Sequence, residues 1–120
     1  MSRVPPTVLI VDDHPSFRAT ARVLLESEGF DVVGEAEDGG SALERAEELH
    51  PEIVLLDVQL PDIDGFEVAS RLTGNGNGPR VVLVSSRDRA DYGSRIEESG
   101  ASGFIAKAEL CGPALAALLG

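Results

Sequence analysis

Tryptophan is absent from this chain, tyrosine occurs once and phenylalanine four times, so the aromatic platforms on which single-stranded nucleic acids stack are missing. Basic residues are scarce too. Ten Lys and Arg against 21 Asp and Glu leave a formal charge of -11, which repels a phosphate backbone, so contact with DNA would need another segment. A single cysteine, Cys111, rules out an internal disulfide and fits a reducing compartment. Its side chain is expected to be a small buried or helical residue. No apolar run approaches the roughly 20 residues that cross a bilayer, and Met1-Ser2-Arg3-Val4-Pro5-Pro6 lacks the apolar segment of a signal peptide. A cytoplasmic protein with no membrane partner is the expectation. The stretch Gly74-Asn75-Gly76-Asn77-Gly78-Pro79 reads as a flexible loop and lacks the Lys-Ser/Thr of a phosphate-cradling P-loop.

What is present suits one domain over residues 1–120, with a core at about 7–119 and no internal repeat or linker. An apolar content of 42% supplies that core. Short β-branched runs alternate with longer amphipathic stretches, the pattern of repeated βα units around a parallel sheet. Strands are expected at 7–11, 31–36, 53–56, 81–85 and 103–106, nearly continuous in apolar character, as strands covered on both faces should be. Pro15 opens a helix whose apolar positions are Phe17, Ala21, Leu24 and Leu25 before Gly29 stops it. The second helix, 41–49, has Ala42, Leu43, Ala46 and Leu49 as its inner stripe. Asp64 can cap a third that carries Phe66, Ala69 and Leu72. A fourth, 89–99, has only Ala90, Tyr92 and Ile96 as anchors and contains Gly93, and a fifth starts between Glu109 and Pro113.

Carboxylates gather where strands end. Asp57 closes the run Ile53-Val54-Leu55-Leu56, and Asp12-Asp13 follow Val8-Leu9-Ile10-Val11, so acids stand at the strand ends where open α/β sheets bind ligands. Each has a plainer reading: Asp12 or Asp13 as a helix cap, Asp57 as a solvated loop residue. Ser85 could be a turn hydroxyl, Lys107 a surface lysine and Phe104 a core aromatic. His14 and His50 are expected to have surface or packing roles.

Taken in order, these residues resemble the receiver domain of bacterial two-component response regulators over nearly the whole chain. The matching positions are the acidic pair Asp12-Asp13, Asp57, the run Pro61-Asp62-Ile63-Asp64-Gly65, Ser85, Phe104 and Lys107. The resemblance implies a flavodoxin-like (βα)5 fold, α/β and doubly wound, with a five-stranded parallel sheet in the order 2-1-3-4-5. It implies that Asp57 accepts a phosphoryl group from a sensor histidine kinase, in a signalling module that is not an enzyme and at most slowly dephosphorylates itself. Mg²⁺ would be held by Asp12, Asp13, Asp57 and the backbone carbonyl of Gln59, a set of hard oxygen donors. Lys107 and Ser85 would contact phosphoryl oxygens, Phe104 would turn with Ser85, and Gln59, Ser86 and Arg87 would flank the group. The surface of the fourth helix, fifth strand and fifth helix would carry the signal, and a homodimer would form there or through the fifth helix alone.

Ala108 follows Lys107 where many receivers have proline, so the associated cis peptide is not expected. Asp12-Asp13-His14-Pro15-Ser16-Phe17-Arg18, Val32-Val33-Gly34-Glu35-Ala36 and Gly103-Phe104-Ile105-Ala106-Lys107-Ala108 resemble the branch that precedes LuxR-type helix-turn-helix outputs, which implies control of transcription; the chain is expected to be either a truncated transcription factor or a single-domain regulator acting on a separate partner. Two other functions compete. A Mg²⁺-dependent phosphohydrolase with an aspartyl-phosphate intermediate would usually have an Asp where Gln59 stands, and an adaptor that is never phosphorylated would not need the full residue set.

Overall fold

The computed structural model describes residues 4–74, 76 and 78–119. Asn75 and Asn77 of the expected loop, Gly120 and residues 1–3 lie outside the described residues. Strands and helices alternate as β1 (Thr7–Val11), α1 (Pro15–Ser27), β2 (Asp31–Ala36), α2 (Gly39–Leu49), β3 (Ile53–Asp57), α3 (Gly65–Thr73), β4 (Arg80–Ser85), α4 (Arg95–Glu98), β5 (Gly103–Ala106) and α5 (Gly112–Leu119). All pairings are parallel, and the sheet order is β2-β1-β3-β4-β5.

The apolar strands are explained by two cores. Val8, Ile10, Ile53, Leu55, Val82 and Val84 pack with Ala21 and Leu25 of α1 and Leu115 and Leu119 of α5. Their neighbours Leu9, Val11, Val54, Leu56, Val81 and Leu83 pack on the opposite face with Ala42, Ala46, Phe66, Val68, Ala69 and Ile96. The two-residue period of a strand sends successive side chains to opposite layers, so neither face tolerates polar residues. Truncating a fully buried residue such as Leu55 to Ala would cost about 2–5 kcal/mol.

Caps fix the helix starts. Asp38 caps α2, which begins at Gly39, two residues before the expected position, its Oδ1 accepting from Ser41 N at 2.7 Å. From the β3–α3 loop, the Asp62 carboxylate accepts from Gly39 N and Gly40 N at 2.8 and 2.9 Å. Those two N–H groups, Gly39 first, hold Asp62 below the usual carboxylate range. Asp64 accepts from Phe66 N at 2.8 Å and caps α3 as expected. Gly65 then lets α3 approach β3 closely: a Cβ there would collide with the Asp57 carbonyl oxygen and lie 2.6 Å from Val58 Cα.

Three expectations need correction. The helix at 89–99 divides into a 3-10 turn, Arg89–Asp91, and the short α4, because Gly93 lies between them in the left-handed region at φ +57°. Of its expected anchors, Ile96 is buried, Tyr92 is half-buried and Ala90 is exposed. Leu49 is 36% exposed, sitting over Gly34 at the margin of α2 rather than fully within its inner stripe. Cys111 is exposed and precedes α5, since Lys107–Glu109 forms a 3-10 turn and the chain then directs half-buried Leu110 and buried Gly112 inward. Among the described residues every peptide bond is trans, and no helix is long and apolar enough to cross a membrane.

Candidate functional site

The carboxyl ends of β1, β3, β4 and β5 form one rim. Val11 is in register with Leu56, so Asp12, immediately after β1, comes beside Asp57, the last residue of β3. One potential ligand atom from each of Asp12, Asp13, His14 and Asp57 lies within 4.8 Å of the others. Asp12 is wholly buried and Asp57 is 3% exposed. Despite that low exposure Asp57 is not sealed off, because it helps line a cleft of about 610 Å³ with Asp13, His14, Gln59, Ser86 and Lys107.

Lys107, after β5, reaches back across the rim. Its Nζ is 2.5 Å from Asp12 Oδ2 and 3.4 Å from Asp57 Oδ2, and 4.4 Å from the centre of the Phe17 ring. The short contact to Asp12 is an ion pair without hydrogen-bond alignment, so the buried Oδ2 has a cation beside it but no aligned donor. Asp12 Oδ1 accepts from His14 N at 2.8 Å and lies 2.9 Å from His14 Nδ1, which is also 3.0 Å from Asp13 Oδ1. Behind the cluster, Arg18 Nη1 donates to the Asp12 carbonyl at 2.6 Å while its Nε donates to Glu35 of β2 at 2.9 Å.

Burial separates the two inner acids. Desolvation pushes Asp57 up to about 6, with Asp12 adding to the rise and the Gln59 N–H and Lys107 opposing it. Desolvation also pushes Asp12 upward, but Lys107 and the hydrogen bonds from His14 outweigh it and hold this carboxyl below its usual range. With Asp57 ionised above about pH 6, the cluster sets three acidic side chains, Asp12, Asp13 and Asp57, against the single basic side chain of Lys107. The excess negative charge, the hard oxygen donors and the unaligned Asp12 Oδ2 fit a divalent cation of the Mg²⁺ class.

The structure brings together Asp12, Asp13, Asp57, Gln59, Ser86 and Lys107, but treats three expected residues differently. Ser85 is buried and is not part of the cleft wall; its hydroxyl lies 2.6 Å from Tyr92 OH and accepts from Arg87 N at 3.0 Å. Arg87 thus enters through its backbone, and its side chain is not among those lining the cleft. Phe104 is half-buried with its ring 5.8 Å from that of Tyr92. Gln59 donates its N–H to Asp57 Oδ1 at 3.1 Å. His50 is exposed at the left-handed end of α2. Sequence reasoning did not find the hydroxyl contact of Tyr92 or the tie from Arg18. The available signals were faint: the chain's one tyrosine lies seven residues after Ser85, and Arg18 lies one helical turn after His14.

Comparison with known proteins converges on one family. The profile of the response regulator receiver domain matches residues 8–112. BvgA of Bordetella pertussis is 43% identical over 102 residues, covering 85% of this chain and 49% of BvgA. The DNA-binding transcriptional activator EvgA of Escherichia coli K12 is 36% identical over 101 residues, covering 84% of this chain and 50% of EvgA. The chain therefore spans about half the length of these curated relatives. Among solved structures, the receiver domain of NarL from Mycobacterium tuberculosis superposes with a TM-score of 0.83 at 35% identity, covering 90% of this chain and 88% of that one.

Proposed function

The chain belongs to the response regulator receiver family, and we propose that within it Asp57 accepts a phosphoryl group from a sensor histidine kinase. What supports this reading is the position of Asp57 at a strand end, on the wall of a cleft and facing a lysine and two further acids. A carboxylate oxygen of Asp57 attacks phosphorus, the bond from phosphorus to the kinase imidazole nitrogen breaks, and the imidazole leaves with that electron pair. Water later cleaves the acyl phosphate to regenerate the carboxylate and release inorganic phosphate.

Mg²⁺ held by Asp12, Asp13 and Asp57 with the Gln59 backbone carbonyl would neutralise charge on the transferring oxygens. Lys107 supplies a point charge to the same oxygens, and the Ser85 hydroxyl donates its proton to one of them. Gln59 and Ser86 flank the group, and Arg87 acts through its backbone N–H on Ser85. The phosphoryl group brings about -1.5 to -2 charges to the rim, enough to favour a second packing of α4, β5 and α5, where a homodimer would form, through that surface or α5 alone.

Because EvgA is a DNA-binding activator and this chain matches half of it, we assign transcriptional output to a part of the regulator beyond the matched region. The charge of -11 argues against direct DNA contact by these residues. A cytoplasmic location accords with such a regulator.

The test is intact mass after incubation with Mg²⁺ and acetyl phosphate, comparing wild type with Asp57→Asn. One stable phosphoryl adduct, absent from the variant, is the expected result. Rapid turnover of phosphomonoesters would reassign the site to a phosphohydrolase, and no adduct would leave an adaptor.

A further inference from the structure

We infer that Tyr92, through its hydroxyl on Ser85, is the positioning residue that transmits the state of the Asp57 site to residues 89–98. This inference rests on the proposed role of Asp57 and concerns a step beyond it. Resemblance assigns the aromatic part of the switch to Phe104, but Phe104 has no polar atom with which to sense Ser85. Tyr92 has one, and its hydroxyl is 2.6 Å from Ser85 Oγ.

Counting hydrogen bonds shows why this contact cannot ignore phosphorylation. A serine hydroxyl has one proton and two lone pairs. Arg87 N–H already occupies one lone pair of Ser85 Oγ. In the present arrangement either hydroxyl can donate to the other, because one proton and one lone pair of Ser85 remain free for Tyr92. A phosphoryl group on Asp57 offers only acceptor oxygens when fully ionised, so Ser85 reaches it by giving up its single proton. Tyr92 is then restricted to donating into the remaining lone pair, and it keeps that bond only by moving with Oγ.

The surroundings direct such movement toward one segment. The Tyr92 ring packs edge-on against Phe66 of α3 at 5.3 Å and obliquely against Phe104 at 5.8 Å, so its far end is held by the body of the protein. Its backbone is held less firmly. Residues 86–91 are exposed, Gly93 interrupts the helix, and α4 has four residues with Ile96 as its one buried side chain. Displacement of the hydroxyl therefore passes into the backbone of residues 89–98, while Phe104 follows as a packing neighbour.

The chain has one tyrosine and no tryptophan, so tyrosine emission, excited to the red of phenylalanine absorption, reports Tyr92 alone in the wild-type protein. On titration with beryllofluoride and Mg²⁺, we expect a saturable shift in that emission, absent from Asp57→Asn. In Tyr92→Phe, which keeps the ring, acetyl phosphate should still give the single adduct by intact mass. The beryllofluoride-induced amide shifts at Val58 and Gln59 should persist there, while those at Ile96 and Ser99 seen in wild type are lost. Unchanged wild-type emission despite an adduct would overturn the coupling alone, without requiring any variant to fold. Full retention of the Ile96 and Ser99 shifts in Tyr92→Phe would do the same. Absence of a wild-type adduct would overturn the role of Asp57, and the coupling with it.

Discussion

Replacing Asp57 by asparagine should make the metal-free protein more stable, and the gain should depend on pH in a definite direction. The folded state raises this carboxyl from its ordinary 3.8 to about 6, chiefly by desolvation, so it binds the proton more tightly than the unfolded chain does. Below 3.8 both states are protonated and no cost arises; between 3.8 and about 6 the cost grows; above about 6 it is present in full. At about 1.4 kcal/mol per pH unit, the rise from 3.8 to about 6 corresponds to about 3 kcal/mol. The net rise already includes the favourable contact to Lys107, and the figure is a ceiling because Asp57 borders an open cleft where solvent and relaxation reduce the cost of its charge. The expected gain is about 1–3 kcal/mol at about pH 7.5, or a melting midpoint higher by roughly 4–10 °C. Urea unfolding followed by circular dichroism in EDTA, at about pH 7.5 and about pH 4, measures it. A variant no more stable than wild type at the higher pH, or a gain that increases on acidification, would refute the reasoning.

The same cluster yields further expectations. Saturating Mg²⁺ should raise the melting midpoint of wild type, by about 1.4 kcal/mol of stability at ten times the dissociation constant, and an equal rise in Asp12→Asn would contradict the ligand assignment. Lys107→Met should cost about 2–4 kcal/mol at neutral pH, since it leaves buried carboxylates without their cation. Because its loss raises the pKa of both acids, the deficit should shrink below about pH 6, and a pH-independent deficit in urea unfolding would count against the pairing. Gly65→Ala should cost about 3 kcal/mol, because the added Cβ meets backbone of Asp57 and Val58 rather than a movable side chain; a loss under about 1 kcal/mol in the same assay would show that α3 can shift.

The sheet and the acidic rim were legible because they follow from local pattern. A strand covered on both faces must be apolar without interruption, and the residues that break each run, Asp12, Asp57 and Lys107, are therefore also those delivered to the rim. Asp64-Gly65 was legible as a motif, but the close approach that excludes a side chain at Gly65 depends on how α3 meets β3. The segment after Ser85 was less readable. It has no apolar period to fix a helix, and the Ser85–Tyr92 contact is set by the path of a loop through Gly93 and not by spacing. Cys111 was misplaced for a related reason: composition favours burial of cysteine, while the turn into α5 selects Leu110 and Gly112 instead.

Arg18 joins the backbone behind Asp12 to Glu35 on the edge strand β2, and Arg22 grips that same glutamate at 2.9 Å. Heredity thus has a handle on the reactive centre that lies outside it. A change at Glu35 alters how tightly Arg18 is tethered, and through it the placement of the innermost acid, while leaving every reacting group intact. Related regulators could in this way diverge in responsiveness by small steps along β2 without passing through an inactive ancestor.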